Sequence, residues 1–192
     1  MAKPFLKWAG GKRQLLPEWV SRFPADIDEC KTYIEPFVGA GAVLFHLLES
    51  EEYQFENVHI IDINPELILC YRMLQSSASS VWSELCQLID NYPDNHEDRK
   101  DESMSGSYYN VRKNWNLNAG IDLDSLSEQE RALRVAQTIF LNRTCFNGLF
   151  RVNQKGGFNV PIGRYTKLSF PSEKMLLGVQ VALKDVNIHL GS

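Results

Sequence analysis

Residues 32–65 leave few folds open to this chain. The run T-Y-I-E-P-F-V-G-A-G-A-V-L-F is followed, after a polar interval, by H-I-I-D-I-N-P. Tyr33–Val38 reads as a short buried strand, which Glu35 and Pro36 keep from continuing as a simple central strand. Gly39 and Gly41 then allow a tight turn and close backbone approach. A-V-L-F-H-L-L reads as a helix, and V-H-I-I-D-I (58–63) as a second strand. Asp62 lies 21 residues beyond Gly41. Strand, glycine turn, helix, strand and acid make one parallel unit, whose carboxyl edge suits a nucleoside-bearing cofactor. Two readings of Asp62 stay open: it accepts hydrogen bonds from ribose hydroxyls, or it caps the helix that follows Asn64-Pro65. Asn64 suits the capping role better, with Pro65 in the first helical turn.

G-x-G by itself also permits a NAD-dependent oxidoreductase. That fingerprint needs a third glycine, and Leu44 stands in its place. No hydride-handling acid or base is visible either. The segment K-P-F-L-K-W-A-G-G-K-R-Q-L-L (3–16) places Lys12 at a glycine-led helix start, a natural anion site. It lacks the spacing of a phosphate-binding P-loop, and an ordinary surface lysine is the alternative.

Residues 66–92 read as helical with a break at Q-S-S-A-S-S, and 93–107 as a polar, acidic, exposed loop. Helical patterns follow through Tyr108–Trp115 and from Ser127, where S-E-Q-E forms a capping box. Residues 142–166 are rich in Asn, Arg and aromatics. L-F-R-V-N and F-N-V-P flank Q-K-G-G, which predicts a β-hairpin. Such a hairpin is either structural or suited to a DNA groove, where Arg bridges guanine, Asn bridges adenine and an aromatic wedges. Residues 172–185 predict a last helix and 186–190 a third strand.

The net charge of −4 hides three blocks. Residues 1–22 carry five Lys or Arg against Glu18, and residues 140–184 carry seven against Glu173, whereas 23–139 hold eight against 21 acids. Two basic segments flank an acidic middle, as phosphate contact requires, or as an unevenly charged surface shows. Cys30, Cys70, Cys86 and Cys145 form no C-x-x-C, and the four histidines are scattered, so neither a metal site nor a disulfide framework is expected. No apolar run spans a bilayer and no leader-like apolar region opens the chain, so a cytoplasmic protein is expected.

Together F-L-K-W-A-G-G-K (5–12), E-P-F-V-G-A-G (35–41), D-I-N (62–64), N-R-x-x-F-N-G-L-x-R-x-N (142–153) and G-G-F-N-V-P-x-G-R-Y (156–165) resemble the Dam-type, D12 class adenine-N6 DNA methyltransferases. The resemblance implies an α/β fold: a Rossmann-like S-adenosylmethionine-dependent methyltransferase sheet, incomplete here, with a helical plus β-hairpin DNA-recognition insert. It implies a cofactor domain from 1–65 and 172–192, and a target-recognition domain over 66–171. S-adenosylmethionine would meet Trp8 and Lys12 at its methionine end, be lined by Glu35, Pro36, Phe37, Gly39 and Gly41, and be held at the ribose by Asp62. Double-stranded DNA would meet Lys7, Arg143, Phe146, Asn147, Arg151, Asn153, Pro161, Arg164 and Tyr165. Phe146 and Asn147 would intercalate, Lys7 would touch the outer base pair and Arg151 a guanine. G-A-T-C is the implied target.

One departure stands out. The family's catalytic D-P-P-Y, which holds the N6 amino group and stacks the flipped base, occurs nowhere in these 192 residues. Only three of about seven expected strands are present, which would leave the first as an exposed edge. The expectations are therefore an N-terminal methyltransferase portion that transfers no methyl group alone, a non-catalytic DNA-binding fragment, or half of a split enzyme completed by a C-terminal chain.

Overall fold

A computed structural model describes residues 2–8 and 15–191. Two compact units divide it. The first takes in 1–5, 10–78 and 173–192, and the second 6–9 and 79–172.

The first unit is built on three parallel strands, β1 (Thr32–Glu35), β2 (Asn57–Asp62) and β3 (Val186–Leu190), in the order β1-β2-β3. Thr32 pairs with Asn57 and Glu35 with Ile60, while Val58 pairs with Val186 and Asp62 with Leu190. Helices α1 (Leu16–Val20), α2 (Ala42–Glu49), the first half of α3 (Pro65–Asp90) and α6 (Glu173–Leu183) accompany them. Alternation along the strands separates two faces. Val58, Ile60 and Val186 are buried, as are Leu44, Leu47, Leu67, Leu74, Leu176, Val179 and Leu183 from the helices. On the opposite face Ile34 is 57% exposed, and Asn187 and His189 are exposed. β1 pairs only with β2 and is an edge among the described residues. It stops at Glu35, because Pro36 has no N–H to continue a ladder.

α3 breaks within the expected Q-S-S-A-S-S stretch: Ser77 (φ −144°, ψ 47°) leaves helical geometry, and two helical segments meet there. The carbonyls released there are not left bare. Gln180 Nε2 donates to the Gln75 and Ser76 carbonyls, at 3.3 and 3.1 Å. Gln75 in turn donates to Leu183 and Val186 carbonyls at the α6–β3 junction. The unit boundary follows at residue 78.

The second unit contains the rest of α3, α4 (Tyr108–Leu117), α5 (Glu128–Thr144) and a long irregular segment, 145–172. Ser107 caps α4, and Ser127 with Glu130 forms the expected capping box on α5. α4 and α5 pack together around Trp115, whose indole N–H donates to Thr138 Oγ1 at 2.9 Å. The Arg134 guanidinium covers the Trp115 ring, 3.4 Å from its centre. The loop at 93–107 is mostly exposed, as its composition predicts, and only its end is tucked in: Gly106 (φ +81°) turns against the Asn91 carbonyl, and Ser107 is buried.

The predicted hairpin is replaced by something sparser. Only isolated antiparallel bridges form, Val152 with Phe158 and Cys145 with Ile162. Asn153 N–H donates to the Gly157 carbonyl (2.8 Å) and Asn159 N–H to that of Arg151 (3.1 Å), which closes a short turn without a ladder. The physical reason lies in who satisfies the backbone. Asn116 on α4 accepts the Phe158 N–H at 2.8 Å and donates to its carbonyl at 3.1 Å, as a neighbouring strand would. Tyr108 and Arg112 donate to the Val160 carbonyl, and Pro161 has no donor to offer.

Candidate functional site

In the first unit the loops after β1 and β2 meet. Val38 N–H donates to the Ile61 carbonyl at 3.1 Å, which carries the pairing one step past the strand end. Gly39 (φ 51°) and Gly41 (φ 73°) are both left-handed. A side chain at Gly41 would place its Cβ 2.6 Å from the Tyr71 hydroxyl and 3.0 Å from the Phe45 ring, so glycine is required there. Tyr71 is fully buried and its hydroxyl donates to the Gly39 carbonyl at 2.9 Å. Burial, then the nearby Glu35 carboxylate, pushes its pKa well above the ordinary phenol value.

Asp62 ties the two loops together. Its Oδ2 accepts the Gly39 N–H at 3.1 Å and its Oδ1 the Asn64 N–H at 2.9 Å. Asn64 itself caps α3, its side-chain oxygen accepting the Glu66 and Leu67 N–H groups. Each Asp62 oxygen retains a second lone pair for another donor. Glu35 is buried, and the Tyr33 hydroxyl donates to its Oε2 at 2.8 Å. Burial and the Glu35 charge both raise the Tyr33 pKa. Phe37 is 71% exposed and Pro36 is exposed beside it.

Thus Glu35, Pro36, Phe37, Gly39, Gly41 and Asp62 stand together at the carboxyl end of two parallel strands. Lys12, with Gly10 and Gly11, lies outside the described residues. Trp8 belongs to the second unit, where it stacks on Phe150 at 5.3 Å, and Phe150 meets Trp115 and Phe158 edge-on. Ile63, directly after β2, is 70% exposed at the same edge. An apolar residue next to Asp62 reads in sequence as a continuation of the strand, so only the structure reveals it facing solvent.

The second unit collects another group. Phe146–Gly148 forms a single 3-10 turn after α5, and Asn147 at φ 55° is the one described non-glycine residue with positive φ. Asparagine tolerates that geometry better than other side chains. Phe146 is half exposed and Asn147 exposed, while the Phe146 N–H donates to the Pro161 carbonyl at 2.8 Å. Lys7 is exposed with its ammonium 4.5 Å from the centre of the Tyr165 ring. Gly163 sits under that ring, where a Cβ would come within 2.4 Å of it.

Arg151 is exposed and partly immobilised, its Nε donating to Asn159 Oδ1 at 2.7 Å. Asn153 spends its oxygen on the Lys155 and Gly157 N–H groups. Pro161 and Arg164 are exposed. Arg143, in the last turn of α5, is only half exposed, and burial lowers its pKa below the usual guanidinium value. Lys155 and Lys167 are also exposed, so the basic charge of 151–167 faces solvent. Among the described residues no helix is long and apolar enough to cross a membrane, and no three His, Cys, Asp or Glu side chains converge on a metal-sized site.

Comparison with known proteins follows the same lines. The chain is 46% identical over 98% of its length to a Type II methyltransferase, M.MjaIII, of Methanocaldococcus jannaschii, covering 62% of that protein. It is 34% identical over 90% of its length to a DNA adenine methylase of Vibrio cholerae, covering 52% of it. It is 37% identical over 90% of its length to a DNA N-6-adenine-methyltransferase of Escherichia phage P1, covering 19% of it. The chain therefore spans less than two thirds of these relatives. Residues 8–192 match a single family description. With the glycine cradle in one unit and the exposed basic and aromatic segment in the other, the chain belongs to the D12 class N6 adenine-specific DNA methyltransferases.

Proposed function

We propose that this chain supplies the S-adenosylmethionine-binding and target-reading parts of a DNA adenine-N6 methyltransferase that acts within G-A-T-C in duplex DNA, in the cytoplasm. The observation that carries this reading is the Asp62 carboxylate, which closes the Gly39 loop over the carboxyl edge of β1 and β2. That loop fits the cofactor in three respects. Gly41 supplies the left-handed turn that packs against Tyr71 and Phe45 with no room for a side chain, Asp62 keeps acceptor capacity for ribose hydroxyls, and exposed Phe37 and Ile63 offer apolar faces to an adenine ring. Bound there, S-adenosylmethionine supplies a sulfonium-borne methyl group for the adenine amino nitrogen.

The remaining tasks fall to named side chains. Phe146 and Asn147 sit on the exposed left-handed turn and fit a wedge that enters the base stack. Lys7 and Arg151 carry the donors for base edges, and Pro161, Arg164 and Tyr165 make further base and backbone contacts. Arg143, partly buried at the end of α5, and Asn153, exposed with its side-chain oxygen on the Lys155 and Gly157 N–H groups, complete the DNA-facing set. In this reading 1–65 and 172–192 form the cofactor domain and 66–171 the recognition domain.

With no D-P-P-Y in its sequence, the 192-residue chain binds without methylating, and a complementing C-terminal chain restores transfer. Two measurements test this. Equilibrium dialysis should show S-adenosylmethionine retained and NAD not retained. Tritium should pass from labelled cofactor to G-A-T-C duplex only when a chain bearing the missing motif is present. Retention of NAD alone, or no label with the motif supplied, overturns the reading.

A further inference from the structure

Asn142 has no exposed surface, yet its side chain makes three hydrogen bonds among the described residues to loops that the proposed function assigns to DNA. Its Oδ1 accepts the Lys7 N–H at 2.8 Å, and its Nδ2 donates to the Lys7 carbonyl at 2.8 Å. The same Nδ2 donates to the Gly148 carbonyl at 2.9 Å, at the end of the Phe146–Asn147 turn. A primary amide that meets both main-chain groups of one residue stands in for a β-strand neighbour and sets that residue's position along the chain. Gly148 completes the seat. It is left-handed (φ +63°), and a Cβ there would fall 2.4 Å from Lys7 Cδ, so the lysine stem lies directly on the glycine. The far end of Lys7 rests near Tyr165, with Nζ 3.5 Å from the hydroxyl.

We propose that Asn142 is a specificity-determining positioning residue: it sets Lys7 in register with the Phe146–Gly148 turn, so that the lysine meets one base pair while the turn enters the stack. Asn142 touches no nucleotide itself. Lys7 is a long, exposed side chain whose ammonium donates to the Tyr165 hydroxyl at 3.5 Å, so its aim depends on where its main chain is held. The proposal rests on the reading of Lys7 as a base contact.

The test uses the 192-residue chain and fluorescence anisotropy with a G-A-T-C duplex and duplexes changed at one base pair at a time. Lys7→Ala should lower discrimination at one pair, on the order of tenfold, the scale of a good base contact. Asn142→Ala should lose discrimination at that same pair and keep it at the others. The double variant should lose no more than either single one, because both remove one interaction. Asn142→Ser, which is neutral and whose single hydroxyl replaces at most part of the contact to Lys7, should fall between and serves if the alanine variant does not fold. A merely structural asparagine predicts weaker binding to every duplex alike, and that result overturns the proposal, as does full discrimination in Asn142→Ala or, where that does not fold, in Asn142→Ser. If Lys7→Ala changes no position, the reading of Lys7 fails, and this inference fails with it. If no duplex is bound at all, the proposed function fails first.

Discussion

Asp62 Oδ2 accepts the Gly39 N–H at 3.1 Å across 23 residues of sequence. The acid at the end of β2 thereby holds the glycine loop that follows β1. It shapes the loop, and in the proposed function its remaining lone pairs accept from the cofactor ribose. Asp62→Asn keeps one acceptor and replaces the other with a donor that faces an N–H group. S-adenosylmethionine affinity should drop by tenfold or more, since a hydrogen bond to a charged group contributes about 1.5–3 kcal/mol. Isothermal titration calorimetry reads this directly, and unchanged affinity would remove Asp62 from the site.

Gly41→Ala should destabilise the first unit by about 1–3 kcal/mol through left-handed strain and the approach to Tyr71. Tyr71→Phe removes the obstructing hydroxyl but leaves the Gly39 carbonyl without its donor, at a cost of similar size. The two changes share one contact, so the double variant should cost less than their sum. A coupling of about 1 kcal/mol in urea unfolding is the expected outcome. Strict additivity would show that the backbone, not the hydroxyl, excludes the side chain.

Phe146→Ala separates function from folding. The ring is half exposed, so the thermal midpoint should move little. Duplex affinity should fall about tenfold, the scale of a stacking contact with a base. A large loss of thermal stability with unchanged DNA binding would assign the ring to the core instead.

Alkali should weaken the second unit from within. The Cys145 thiol is buried, and burial raises its pKa from 9.0 to about 11. Burial likewise raises Tyr92 from 10.0 to about 12. Between those values the folded chain retains protons that the unfolded chain has released. Stability is therefore full below pH 9 and falls as pH rises toward 11 and 12. For Cys145 the slope reaches at most about 1.4 kcal/mol per pH unit. Cys145→Ala should flatten the decline between pH 9 and 11 in urea melts at stepped pH. An unchanged slope would show that the thiol is not the proton carrier.

Much of the architecture was legible because it is local. The runs at 33–38, 58–63 and 186–190 gave strands at Thr32–Glu35, Asn57–Asp62 and Val186–Leu190, and Ser127 and Asn64 became caps, since each cap depends on residues within one helical turn. The hairpin at 150–160 was legible only as a turn. Its expected ladder gave way to side chains from α4 that lie 42 and 52 residues earlier. A period-two pattern reports burial of alternate residues, not which group satisfies the backbone.

The sequence by itself determined the family, the glycine cradle and the basic, aromatic segment, because motif, spacing and charge are properties of the chain. Tertiary structure alone decided how those parts are held. It paired Asn142 with Lys7 across 135 residues, gave both Asp62 oxygens to loop N–H groups, and turned Arg143 partly inward. Such contacts carry no periodic signal. A buried amide or carboxylate must find partners wherever the fold brings donors and acceptors within about 3 Å, whatever their distance in sequence.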